Sequence, residues 1–176
     1  MKTLFKFLCV IILLCSGQTP VEAQSKFYAG PGLGLDYGGI GGKLEFLPVK
    51  HVGLFGGAGF NFKSLGWNTG LSFKLMPEKK LCPNLVAFYG YNGVSIIWND
   101  PSSHYNMISY GFTFGAGLDI KIGRKGHKMS AGLFVPIREK KFIDNYHEAK
   151  NDPALEDIGM GMLLPIAISF GYNFRL

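Results

Sequence analysis

The sequence predicts an all-β fold, an eight-stranded antiparallel up-and-down transmembrane β-barrel, and three observations carry that expectation. The 176 residues include 25 glycines and 15 phenylalanines, a composition that suits sheet, because glycine weakens helices and aromatic side chains favour strands. Apolar residues recur at every second position in eight segments, the period of a strand whose two faces meet different surroundings. The links between segments also alternate. Links two, four and six ("LPVKH", "MPEKKLCPN", "GRKGHK") are short and basic, whereas link seven is long and polar and link five, "NDPSSH", is loop-like, as in a barrel with turns on one side of a membrane and loops on the other.

The first 23 residues read as a secretory signal peptide. Lys2 and Lys6 precede the apolar run "FLCVIILLC", and Ala23 offers a small residue for cleavage before Gln24. The run is shorter than the roughly 20 residues of a spanning helix, and Leu14 before Cys15 argues against a lipoprotein. Residues 24–176 then form the barrel domain. Cys82 is its only cysteine, which leaves no intrachain disulfide and no cysteine-based metal site. Its 16 basic and 11 acidic side chains give a net charge of +5, suited to anionic lipid head groups but without the dense basic tract of a nucleic-acid binder.

The strand expectations follow in order. Residues 27–37 place Phe27, Ala29, Leu33, Leu35 and Tyr37 on one face, and residues 40–46 place Ile40, Leu44 and Phe46 there. Residues 52–62 set Val52, Leu54, Ala58, Phe60 and Phe62 together, with Phe55 out of pattern, and 67–75 oppose Trp67, Leu71, Phe73 and Leu75 to Asn68, Gly70, Ser72 and Lys74. The segment 85–98 is apolar on both faces and changes parity near Asn92-Gly93, the mark of a bulge. Residues 107–122 are the clearest strand, apolar at every even position from Ile108 to Ile122. The seventh, 129–138, opposes Met129, Leu133 and Val135 to Ser130, Gly132 and Arg138; the eighth, 166–176, alternates from Ile166 to Leu176. A soluble ligand-carrying barrel is the competing fold. It would turn the apolar face inward and coat the other face with charge, but that other face is mainly Gly, Ser, Thr and Asn.

The signal peptide, the eight alternating segments and the terminal Phe170, Tyr172, Phe174 and Leu176 resemble the small outer-membrane β-barrel proteins of Gram-negative bacteria. The resemblance spans the whole mature chain and implies integral insertion among outer-membrane lipids. It also implies recognition of the last strand by the barrel assembly machinery, although Leu176 stands where that family usually ends in Phe. Some barrels in this group modify lipid A, which makes Asp100, Ser102, Ser103 and His104 in link five, and His147 with Glu148 in link seven, the catalytic candidates to weigh. Their proximity in sequence supplies no base–nucleophile geometry, and no catalytic, cofactor-binding or metal-binding set is assigned.

With the apolar parity facing lipid, the inward set includes Asp36, Lys43 and Arg138. It also includes Glu45, Lys74, Asp119, Lys121 and Arg175, which fall near one end of their strands. These five are expected to pair as a structural cluster of lumen charges closing the barrel, because unpaired charge in a dry interior is expensive. Glycines at 32, 34, 57, 59, 70, 115, 117 and 132 either accommodate bulky lumen side chains or leave a slot for a small lipophilic ligand. The P-loop pattern is excluded, since "GGKLEF" has Leu44 where Ser or Thr is needed. Trp67, Trp98, Tyr105 and Tyr110 are expected at a membrane rim, and Lys50, Lys79, Lys80, Arg124, Lys125 and Lys128 in turns beside lipid phosphates. Residues 139–161 form a long polar link, the expected contact element for a surface partner. The expected role is non-catalytic, in surface interaction or envelope integrity, with a lipid-modifying enzyme or a ligand-holding lumen as the alternatives.

Overall fold

A computed structural model of the chain describes residues 26–95, 107–151 and 164–176. Eight antiparallel strands close into a barrel in sequence order: β1 (Lys26–Gly34), β2 (Gly39–Val49), β3 (Val52–Phe60), β4 (Leu65–Lys74), β5 (Leu81–Ser95), β6 (Met107–Ile122), β7 (His127–Pro136) and β8 (Ala167–Arg175). Closure is made by β1 and β8, with Tyr28 opposite Arg175 and Leu33 opposite Phe170. The end where β1 begins and β8 finishes, which also carries links two, four and six, is the proximal end; the other is distal.

Alternation places apolar side chains outside on every strand. Leu33, Leu44, Leu54, Leu71, Leu85, Phe112, Leu133 and Phe170 are all exposed, Leu44 at 64% and Phe170 at 61%. The opposite parity, including Glu45, Asn68, Ser72, Lys74, Thr113, Asp119, Ser169 and Asn173, is buried in the lumen. Because side chains repeat with period two, slipping any strand by one residue would exchange these sets. A soluble carrier needs the reverse polarity, so that alternative does not match the barrel observed.

Several boundaries differ from the sequence pattern. The first strand stops at Gly34, and Leu35–Tyr37 form a single 3-10 turn whose three residues are all buried. Leu35 and Tyr37 therefore do not share the outward face of Phe27 and Leu33: the hairpin tip folds into the lumen, and Gly38 reverses the chain at φ 72°. The third strand ends at Phe60, because Phe62 has φ 68°. There the Asn61 side chain accepts hydrogen bonds from the Lys63 and Ser64 amides at 3.2 and 2.8 Å, an Asx-type turn. The fifth strand begins at Leu81, ahead of the expected Leu85, and its register shifts between Tyr91 and Gly93, which places the bulge where the parity changes. β6 has the expected bounds.

Link seven holds an element that the strand reading did not foresee, α1 (Lys140–Asn151). Phe142, Tyr146 and Ala149 follow the i, i+4, i+7 spacing of one helical face, and all three are buried. Phe142 packs beside Gly93 at the β5 bulge, so the helix lies against the distal end of the barrel.

Candidate functional site: the packed lumen

The candidate site is built from inward positions of all eight strands and the hairpin tip. Glu45 on β2, Lys74 on β4, Asp119 on β6 and Lys128 on β7 form a buried four-charge network. Lys74 Nζ lies 2.8 Å from Glu45 and 2.7 Å from Asp119; Lys128 lies 2.9 Å from Asp119 and also pairs with Glu45. Ser72 donates to Glu45 at 2.6 Å and Ser130 donates to Asp119 at 2.7 Å. Two carboxylates and two ammonium groups thus balance, each held by more than one partner, which is the condition for tolerating charge in a poorly hydrated interior.

The network continues into the hairpin tip. Asn173 on β8 donates to Ser130 Oγ at 3.1 Å and to the Tyr37 hydroxyl at 3.0 Å. Lys43 pairs with Asp36 at 2.5 Å and stands 4.4 Å from the Tyr37 ring centre, while Asn68 donates to the Leu35 carbonyl. Tyr37 is completely buried. A Cβ added at Gly32 or Gly171 would run into its ring, and one at Gly57 into the Asp36 carbonyl. These glycines form the socket that admits the tip.

Above the tip, Leu35 packs with Phe55, Phe88, Tyr91 and Phe134. Phe88 meets Phe55 and Phe134 edge-on at 5.9 and 5.3 Å, a favoured aromatic geometry. Gly70 faces Phe88, Gly115 and Gly132 face Phe134, and Gly117 faces Asn84. Between the tip and the four-charge network remains a chamber of about 20 Å³, room for about one water. At the distal end Arg138 Nε donates to the Asn92 carbonyl at 3.3 Å and its Nη1 to the Leu164 carbonyl at 2.8 Å. Asn92 in turn donates to the Ile137 carbonyl at 2.8 Å.

Of the five lumen charges expected from sequence, Glu45, Lys74 and Asp119 come together. Lys121 does not join them: its Nζ donates to the Pro77 carbonyl in link four. Arg175 is exposed at the proximal rim, where a long stem lets the charge reach water. Lys128, expected in a turn, is the fourth member of the network instead. Its strand begins two residues earlier than the apolar pattern suggested, and the parity that turns Ser130 inward turns Lys128 inward too. Lys50 does stay at the surface, paired with Glu78 at 2.8 Å; that hydrogen bond holds the Glu78 carboxyl below its ordinary range and the Lys50 ammonium above its own.

The remaining candidates divide. His147 and Glu148 are exposed on α1. Asp100, Ser102, Ser103, His104, Trp98 and Tyr105, the signal peptide, and positions 152–163 of link seven lie outside the described residues. Among the described residues no group of three His, Cys, Asp or Glu side chains is placed to hold a metal. Trp67 and Tyr110 do meet on the distal exterior, with ring centres 5.9 Å apart and Tyr89 beside Trp67. Neither a protein-family model nor a curated protein matches the chain.

Proposed function

We propose that this protein is an integral outer-membrane β-barrel whose filled lumen conducts nothing and whose role is non-catalytic, in surface interaction or envelope integrity. The observation that carries the reading is the apolar belt over all eight strands around a closed interior packed with paired charges and aromatic rings. In water a continuous belt of this kind is an association hazard; against hydrocarbon it is the required solvent-facing surface. Strands of 9 to 16 residues match or exceed the roughly 9–11 needed to cross at a tilt. Aromatic rings also gather at both ends of the exterior. Trp67, Tyr89 and Tyr110 lie distally, while Phe27 stacks on Phe46 and Tyr172 meets Phe174 edge-on proximally, as in the two girdles of such barrels.

A barrel so packed acts as an anchor. What it presents beyond the membrane is the distal end, with α1 and the rest of link seven as the contact element for a partner. The test is electrophoretic mobility in SDS of protein from isolated outer membranes, unheated and boiled. A heat-dependent shift with recovery in that membrane supports the reading; a soluble protein with one mobility removes it.

A further inference from the structure

The charges inside this barrel cancel, and those at its proximal mouth do not. Lys43 is matched by Asp36, and Lys74 and Lys128 by Glu45 and Asp119. At the mouth, Lys26, Lys50, Lys79, Lys80, Lys121, Arg124, Lys125 and Arg175 are opposed, among the described side chains, by Glu78 alone, and Glu78 is held by Lys50. A cavity of about 40 Å³ opens there, space for about three waters. Its rim carries Lys26, Lys50 and Lys121 together with Glu78, the partner of Lys50; Tyr28, Leu47 and Pro77 form its walls, and Lys74, Asp119 and Lys128 of the four-charge network form its floor. Asp119 on that floor is already engaged, one oxygen by Lys74 and Lys128 and the other by Ser130, so it leaves the field at the rim positive. Lys121 is steadied by the Pro77 carbonyl, and neither it nor Lys26 has a carboxylate partner among the described residues.

We propose that this proximal cavity is a binding site for one phosphate group, held by the Lys26 and Lys121 ammonium groups with Lys50 at its rim. A phosphate offers several acceptor oxygens to converging ammonium donors, and such charge-assisted bonds are the strong kind. The group can come from a soluble phosphate or from an anionic lipid head group at the rim. Only the lipid source rests on the membrane reading above, so failure of that reading leaves the soluble arm standing.

The experiment uses the mature chain folded in a neutral maltoside detergent. Inorganic phosphate is titrated by calorimetry, with acetate at equal concentration and ionic strength as the comparison. In parallel, native mass spectrometry follows lipid retention from nanodiscs of phosphatidylcholine with and without phosphatidylglycerol. Saturable one-to-one phosphate binding assigns a soluble ligand, whereas retention of one phosphatidylglycerol without free-phosphate binding assigns a head group. Lys26→Gln/Lys121→Gln should weaken either by about tenfold or more, and Lys79→Gln/Lys80→Gln, away from the cavity, should change it less than about threefold. The single Lys26→Gln variant serves if the double variant does not fold. No binding in either arm, equal binding of acetate, or binding unchanged by Lys26→Gln would overturn the proposal.

Discussion

A methyl group added at Gly171 collides with the Tyr37 hydroxyl, and that collision ties the last strand to the first hairpin. Replacing Tyr37 by Ala is expected to reduce unfolding free energy by about 3–5 kcal/mol, as for other buried aromatic truncations. Gly171→Ala should cost about 1–3 kcal/mol through overpacking. In the double variant the new methyl meets no ring, so urea unfolding in detergent should give a loss smaller than the sum. Asp119→Asn leaves Lys74 and Lys128 short of a carboxylate and is expected to cost about 3–5 kcal/mol. Lys121→Gln, outside the network, should stay within about 0.5 kcal/mol. Parity alone made Glu45, Lys74 and Asp119 readable as lumen residues, and the same alternation carried to one more position reads Lys128. Lys121 and Arg175 share the inward parity but sit where strands meet water, and reach along a flexible side chain is not encoded in period two.

Among the elements, β6 was legible because nothing interrupts its alternation, and the β5 bulge because parity visibly changes. The hairpin tip was not: Leu35 and Tyr37 continue the apolar alternation of β1, and only the socket glycines on other strands show that they turn inward. The α1 helix was hidden by the polarity of link seven, although Phe142, Tyr146 and Ala149 carry its period. If that face holds the helix against the barrel, Phe142→Ala should make residues 140–151 cleavable by trypsin at a concentration that leaves the unaltered protein intact, while the barrel keeps its heat-dependent mobility. Cleavage unchanged by the substitution would show that the helix is held by other contacts.

At the scale of the whole molecule, sheet closure and lumen packing act on the same space. Tyr37, Phe134, Asn173 and Thr113 are fully enclosed, so the barrel is expected to show no conductance in planar bilayers. Shortening Phe134 to Ala enlarges the chamber beside Gly132 without joining it to both ends, because the four-charge network and the other members of the aromatic layer, Phe55, Phe88 and Tyr91, remain, and conductance should still be absent. Stepwise single-channel currents from the unaltered protein would contradict a sealed interior. The class of fold was readable because the exterior alternation recurs on all eight strands. The seal was less so, since it depends on which distant residues share one cross-section.

The bond between Asn173 and Tyr37 joins groups 136 positions apart, and this bears on the order in which the barrel is made. The first hairpin can form locally, yet its tip has a complete socket only once β8 supplies Gly171 and Asn173. Contacts so distant in sequence carry a large loop-closure entropy and form slowly. The seam between the first and last strands and the seating of the tip are therefore one kinetic event, and a chain that has not received its final strand has an interior that cannot set.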